Sequence, residues 1–368
     1  MKLHQICAAA GLTAALAVTS AIAQEETAED SKRFTAERVF DIEYATNPQI
    51  SPDGKTIIYV RHSMDRMTDR DTGHLWIIDI ESGAQRPLLG VGGSAGAPSW
   101  SPDGSRVLYT STASGKPELK LVYMDTGLSY SLAQFTESPS GATWSPDGRN
   151  IAFSMFVPGD KPGFATPPKQ PEGAKWADPV KVIDDLTFRF DGAGYLEDGA
   201  DQVFVLPAEG GTPRQVTTGE ADMGGQAWLD NDTLLVTGNL ADDRDMDPIE
   251  SEIYSVELSN LQITPLTSRD GPDFAATPAP DGRSIAFLGY DDELKSYQQN
   301  HLYVMGPDGS GVRELLSGFP GSPGQIEWAP DGKSLFMLFE DHGVLTLNEL
   351  DLQGRLTQVV TGIGGTSI

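Results

Sequence analysis

The chain has a single cysteine, Cys7, close to the N-terminus. No disulfide can form within it, and it has no Cys-x-x-Cys pair for redox chemistry or zinc. Histidine is scarce too, limited to His4, His62, His74, His301 and His342. None of these stands in a His-x-x-x-His or His-Glu-x-x-His spacing, so no zinc site is offered. Positive charge is in deficit: 26 Lys and Arg face 53 Asp and Glu, for a net charge of −27. Basic patches are what nucleic acids and anionic membranes bind, and neither is an expected partner here. The Ala-rich run from Ile6 to Val18 is shorter than the roughly 20 residues that span a membrane.

That run fits a different pattern. Lys2 and His4 precede it, and Ala21-Ile22-Ala23 follows as a small-x-small cleavage site. These are the three parts of a secretory signal peptide over residues 1–23. The mature chain then starts at Gln24, has no cysteine, and is expected in a bacterial periplasm. No membrane attachment is expected after cleavage. Without disulfides such a protein relies on its own hydrophobic core, and the chain is long enough to build one. Residues 24–33 are polar and acidic and are expected to be a disordered lead-in.

A repeat dominates the rest. Ser51-Pro52-Asp53-Gly54 recurs as Ser101 to Gly104 and Ser145 to Gly148, and with alanine first at Ala279 to Gly282 and Ala329 to Gly332. Trp100, Trp144 and Trp328 precede three copies, and Trp228 before Leu229-Asp230-Asn231-Asp232 marks a degenerate sixth. Proline presets φ, aspartate suits the next turn position, and glycine closes the turn. Apolar alternation follows each turn: Ile57 and Tyr59, Val107 and Tyr109, Ile151 and Phe153, Ile285 and Phe287, Leu335 and Met337. Period two with β-branched and aromatic residues is strand patterning.

A second strand pair follows in each unit, for example His74–Asp79 with Gln85–Leu89, and His301–Met305 with Val312–Leu316. Four strands in about 45 residues match a propeller blade. The expected fold is therefore all-β: a β-propeller over 34–368 with about six four-stranded blades at 49–90, 94–138, 139–220, 221–270, 271–319 and 320–362. Gly362-Ile-Gly-Gly-Thr-Ser-Ile368 resembles Gly90-Val-Gly-Gly-Ser-Ala-Gly96, the lead-in to blade two. It reads as the beginning of a further, incomplete blade, and the chain as a truncated form of a longer protein.

Blade three carries an insertion at 157–201. Its Pro- and Gly-rich first part is expected to be a loop. Trp176-Ala-Asp-Pro-Val-Lys-Val-Ile183 and then Leu186-Thr-Phe-Arg-Phe-Asp-Gly-Ala-Gly-Tyr195 follow, the second ending in a hairpin tip. Loops on a rigid scaffold often carry binding residues. Trp176, Arg189, Asp191 and Tyr195 are the candidates for gripping a peptide-like ligand; the plainer alternative is an insertion packed on the propeller, with Arg189 and Asp191 merely paired.

These blades, together with Asp178–Ile183 and Phe188–Tyr195, resemble the non-catalytic half of a prolyl oligopeptidase family peptidase, of the dipeptidyl aminopeptidase/acylaminoacyl-peptidase type. The blade repeats alone are shared with TolB-like and other WD40-like propellers. The resemblance implies a seven-bladed propeller followed by an α/β-hydrolase domain with a Ser-Asp-His triad, the propeller restricting entry to short peptides. This chain has neither a full seventh blade nor the hydrolase segment, so no catalytic residue carries over and short peptides would be met through the missing domain.

Other constellations fail on chemical grounds. Gly92-Gly-Ser94-Ala-Gly96 matches G-x-S-x-G, but a nucleophile elbow needs a strand-to-helix turn, and no helical periodicity follows Ser94. Asp243-Arg-Asp245-Met-Asp247 begins like a calcium loop, but Pro248 and Tyr254 stand where glycine and glutamate are required. Acidic pairs at Glu250/Glu252 and Asp291–Glu293 are read as surface charge, with the alternative of binding a free amine. No metal or cofactor is expected. The expected function is gating and substrate selection in an exported serine peptidase. The alternative is a stand-alone periplasmic TolB-like propeller that binds other proteins.

Overall fold

The computed structural model describes residues 34–90, 93–159, 168–177, 182–183 and 185–363. The expected signal peptide, the lead-in, most of the Asp178–Ile183 motif and the tail from 364 lie outside them. Among the described residues there is no α-helix, only a 3-10 turn at Ala36–Asp41, and no helix long and apolar enough to cross a membrane.

The protein is a β-propeller of six four-stranded antiparallel blades. Blade one is β1 (Glu43–Ile50), β2 (Thr56–Asp65), β3 (Arg70–Asp79) and β4 (Gln85–Pro87). Blade two is β5 (Ala95–Trp100), β6 (Arg106–Ser111), β7 (Glu118–Tyr123) and β8 (Ser129–Gln134). Blade three uses β9 (Ser140–Trp144) and β10 (Asn150–Pro158); a separate hairpin, β11 (Arg189–Phe190) and β12 (Gly194–Tyr195), comes before its last strands, β13 (Gly199–Pro207) and β14 (Arg214–Gln215). Blade four is β15 (Met223–Trp228), β16 (Thr233–Gly238), β17 (Glu252–Glu257) and β18 (Ile263–Pro265). Blade five is β19 (Asp273–Pro278), β20 (Ile285–Gly289), β21 (His301–Met305) and β22 (Arg313–Glu314). Blade six is β23 (Ile326–Trp328), β24 (Ser334–Asp341), β25 (Val344–Asp351) and β26 (Leu356–Ile363).

The repeat turn joins the first two strands of each blade. Gly54, Gly104 and Gly148 donate their N–H to the carbonyls of Ser51, Ser101 and Ser145, each at 2.8 Å. All three glycines have φ near +70°, a region that costs a side chain energy. The serine hydroxyl then locks the loop. Ser101 Oγ donates to Asp103 Oδ1 at 2.6 Å and accepts the Arg106 N–H at 2.9 Å. That hydroxyl bond, with the Ser105 N–H, holds the Asp103 carboxyl down at about 2. Ala279 and Ala329 lack the hydroxyl, yet the backbone closure survives at 2.9 Å in both turns.

The core lies between neighbouring blades. Ile58, Val60, Leu75 and Ile77 of blade one pack on Val107, Tyr109 and Val122 of blade two. Leu108, Leu119 and Leu121 point the other way and join Trp144, Ile151 and Phe153 of blade three. Period two thus supplies each inner blade with two buried faces.

The tryptophans before the turns tie these layers together. Each donates its indole N–H to a carbonyl of the preceding blade: Trp100 to Gln49 at 3.1 Å, Trp144 to Ser99 at 3.3 Å, Trp228 to Thr143 at 3.2 Å and Trp328 to Thr277 at 2.8 Å. The acceptor always lies two residues before the first residue of the preceding turn. Pro278 occupies the tryptophan's place in blade five and Ile50 in blade one.

Residues 34–44 and His62–Thr72 form a compact unit of their own. In it the Tyr44 ring stacks on His62 with centroids 4.5 Å apart. The Tyr44 hydroxyl donates to Asp71 at 2.7 Å, and His62 Nδ1 lies 2.8 Å from the same carboxylate.

Three boundaries differ from the sequence reading. Blade one begins at Glu43, not 49, because the strand before its turn is almost wholly exposed and has no apolar alternation to mark it. The insertion is shorter than 157–201, because Val157 pairs with Ala200 and Pro158 with Gly199, lengthening β10 and β13. Gly362 and Ile363 belong to β26, where Ile363 pairs with Leu345, so these two residues end blade six instead of opening another.

The same repeat position should respond oppositely in two blades. Trp328, 5% exposed, is expected to lose about 1 kcal/mol on substitution by Phe, which removes its N–H, and about 3–5 kcal/mol on substitution by Ala. Ile50, 65% exposed, should tolerate Ala within about 0.5 kcal/mol. Urea unfolding of the three variants measures this, and equal losses at both positions would refute the anchoring role of the indole.

Candidate functional site

The insertion brings three of the four sequence candidates together. Arg189 lies opposite Tyr195, and Phe190 opposite Gly194, in the β11–β12 hairpin. The Arg189 guanidinium is 3.9 Å from Asp191 at the tip. The Phe188 and Tyr195 rings meet with centroids 6.2 Å apart, and the Leu196 N–H donates to the Phe188 carbonyl at 2.9 Å. Positive φ at Gly192 and Gly194 lets the tip reverse. Trp176 lies earlier in the insertion, and no hydrogen bond or ring contact joins it to the hairpin among the described residues. Trp176, Phe190 and Tyr195 are each about half exposed. The insertion therefore presents aromatic surface, and the Arg189–Asp191 pairing foreseen as the plainer alternative is present.

A group of perturbed carboxyls lies elsewhere, where blade four meets blade five. Carboxylate oxygens of Asp247, Glu250 and Asp270 lie within 4.8 Å of one another. Glu250 accepts the Gly271 N–H at 2.7 Å. Its carboxyl is nonetheless raised, chiefly by burial and further by the Asp247 charge. Burial pushes Glu252 up to about 7 against a hydrogen bond from Thr267, and the Asp273 and Glu250 charges push the same way. Burial likewise lifts Asp273 to about 6 against the opposing pull of Arg269. Arg269 supplies positive charge: it lies 3.2 Å from Asp273, 3.7 Å from Asp291 and 3.9 Å above the Tyr303 ring.

Such oxygens suit a hard cation or an ammonium group, but a cluster of carboxylates alone assigns no ligand. The sequence displayed its acidic residues as separate pairs. The calcium-loop template failed because the carboxylates come from two segments, the β16–β17 loop and the link between blades four and five.

The rejected nucleophile motif has a structural use. Ser94 Oγ accepts the Gly73 N–H at 3.2 Å, and the Ser94 carbonyl accepts the Thr112 N–H at 3.2 Å. No histidine hydrogen-bonds Ser94 among the described residues. His74 and His301, read as equivalent, do occupy matching positions but differ in surroundings. His301 Nδ1 lies 2.8 Å from Glu314, whereas Pro87 of blade one stands where blade five has Glu314.

A family model described as the TolB beta propeller domain matches residues 42–161. Dipeptidyl-peptidase 5 of Porphyromonas gingivalis is 22% identical over 361 residues, covering 90% of this chain and 50% of its own length. Uncharacterized peptidase YuxL of Bacillus subtilis is 26% identical over 215 residues, 58% of this chain and 32% of its own length. Among solved structures, the acylaminoacyl peptidase of Pyrococcus horikoshii superposes with a TM-score of 0.66 at 15% identity, covering 87% of this chain and 46% of that one. At that identity the likeness is one of fold. The chain spans half or less of the length of these three proteins.

The acidic junction predicts a pH dependence. Glu252 and Asp273 bind protons more tightly when folded, at about 7 and about 6, than at their ordinary values of 4.5 and 3.8. Their contribution to stability is fully present below those ordinary values and is lost as pH rises through 6 to 7. Glu252 retains some solvent access, so the expected loss from its ionisation between about pH 5 and about pH 8 is only about 1 kcal/mol. Glu252→Gln should flatten the change in urea midpoint across that range; an unaltered slope would remove Glu252 from the account.

Proposed function

With a chain related both to the propeller parts of prolyl oligopeptidase family peptidases and to TolB propellers, we propose that it serves as the non-catalytic propeller of an exported serine peptidase of that family. Its work is to gate and select short peptides, while bond cleavage belongs to an α/β-hydrolase part. The alignment with Dipeptidyl-peptidase 5 carries this reading, because it runs through 90% of the chain and only half of that peptidase. The aromatic hairpin at Arg189–Tyr195 supports it as a contact surface for an extended ligand, since aromatic side chains give large contact area at low entropic cost. Ring-shaped scaffolds also select by size: folded proteins are excluded by sterics alone.

A second reading rests on the TolB propeller match over residues 42–161: a periplasmic platform that binds other proteins. The coding sequence downstream of Ile368 separates the two. An in-frame α/β-hydrolase with a G-x-S-x-G elbow, then Asp and His in that order, is expected for the peptidase. A stop codon directly after Ile368 would favour the platform.

The chain by itself should hydrolyse neither dipeptidyl nor N-acyl-aminoacyl p-nitroanilides above the buffer rate, and Ser94→Ala should change nothing. Hydrolysis by the purified chain that Ser94→Ala abolishes would overturn the non-catalytic reading.

A further inference from the structure

A cleft of about 300 Å³ lies between blades one and two, with Leu75, Leu89, Gly90, Ala95, Tyr109 and Lys120 in its walls. Its existence has a cause in the repeat. Tyr109 packs toward blade one, and Lys120 is its direct cross-strand partner, so both side chains share that face. The corresponding pairs are Phe153 with Phe204 in blade three, Val236 with Tyr254 in blade four, Phe287 with Tyr303 in blade five and Met337 with Asn348 in blade six. Blade two thus has lysine where blades three, four and five have an aromatic ring, and blade six has a buried asparagine.

The filling group is missing as well. Between blades four and five, Arg269 from the linking segment lies 3.9 Å above Tyr303 and occupies the space. Between blades one and two the link contributes Gly90 and Gly93 to the cleft. Ala95 takes the ladder position that Asp273 has in blade five, as their partners Ser111 and Gly289 show.

What remains is rich in donors. Tyr109 Oη and Ser129 Oγ are 2.6 Å apart. They hold two hydroxyl protons and use one between them, which leaves one for a ligand. Burial raises the Tyr109 hydroxyl, which keeps that proton in place. The Lys120 ammonium lies 3.7 Å from Glu118 Oε2, a contact that occupies at most one of its three N–H groups. Glu118 itself is already engaged by Gln134 Nε2 at 2.5 Å. Leu75, Leu89 and Ala95 supply apolar wall, and the volume is at the small end of the range for small-molecule sites.

We propose that the cleft between blades one and two binds a small organic carboxylate, its oxygens taken by Lys120 and the Tyr109–Ser129 hydroxyl pair and its apolar stem lying against Leu75 and Leu89. The site is independent of the peptidase reading and of any hydrolase part.

The test is titration of the purified chain with N-acetyl-L-leucine, N-acetyl-L-leucinamide and inorganic phosphate, followed by calorimetry or amide NMR shifts. The acid should bind saturably at about millimolar concentration, and the amide about tenfold more weakly. Lys120→Met should weaken the acid about tenfold and leave the amide unchanged, while Lys120→Arg should stay within about threefold of the parent. Lys120→Met leaves Glu118 without its cation, so the Glu118→Gln/Lys120→Met pair, with no buried charge left over, is the companion variant; thermal unfolding checks both. Equal binding of acid and amide, absence of saturable acid binding, tighter binding of phosphate than of the acid, or acid binding that survives loss of Lys120 in the folded variant would each overturn the proposal.

Discussion

The hydrogen bond from a tryptophan indole to the carbonyl of the preceding blade is the constraint on which the rest of this structure depends. A blade is a small twisted sheet with two apolar faces, and apolar contact alone does not fix how two such faces register. An indole N–H buried at the joint must find an acceptor, and one carbonyl in each preceding blade meets it. The large ring supplies burial and the N–H supplies position, so one residue performs both tasks at four of the joints between consecutive blades.

The joint between blades four and five departs from this rule. Pro278 stands in the tryptophan's place and has no side-chain donor. The same joint holds Arg269 against Tyr303 and Asp273, with Glu252 nearby. Charge and stacking thus occupy a joint where the indole bond is missing. A charged joint depends on protonation in a way an indole bond does not, and the raised carboxyls of Glu250, Glu252 and Asp273 lie at this joint.

Much of the fold was legible in the residues. Five turns with proline, aspartate and glycine in fixed order, each followed by alternating apolar residues, define hairpins at a blade's spacing, and six blades result. The first strand was misplaced because Glu43–Ile50 has no apolar alternation: its side chains are mostly exposed, so period two had nothing to report. The hairpin of the insertion was readable from Asp191-Gly192 and Gly194, whose conformations only a turn needs. The acidic junction and the cleft were not. Both join residues from adjacent blades, and each arises from a local exception to the repeat, Lys120 for an aromatic residue and Pro278 for tryptophan, which becomes meaningful once the blades are laid side by side.

The tryptophan bonds all point in one direction, from a later blade to an earlier one. A chain that emerges from its N-terminal end therefore completes each acceptor before the donor that needs it exists. Blade one carries Ile50 in place of a tryptophan and so has no unmet donor while it waits for its neighbours. Assembly can proceed as a growing stack in which each new sheet docks on a finished template, as in repeat proteins whose stability is passed between nearest neighbours. In such a stack the charged joint before blade five is the step at which templating by an indole pauses, which divides the order of growth into four blades and then two.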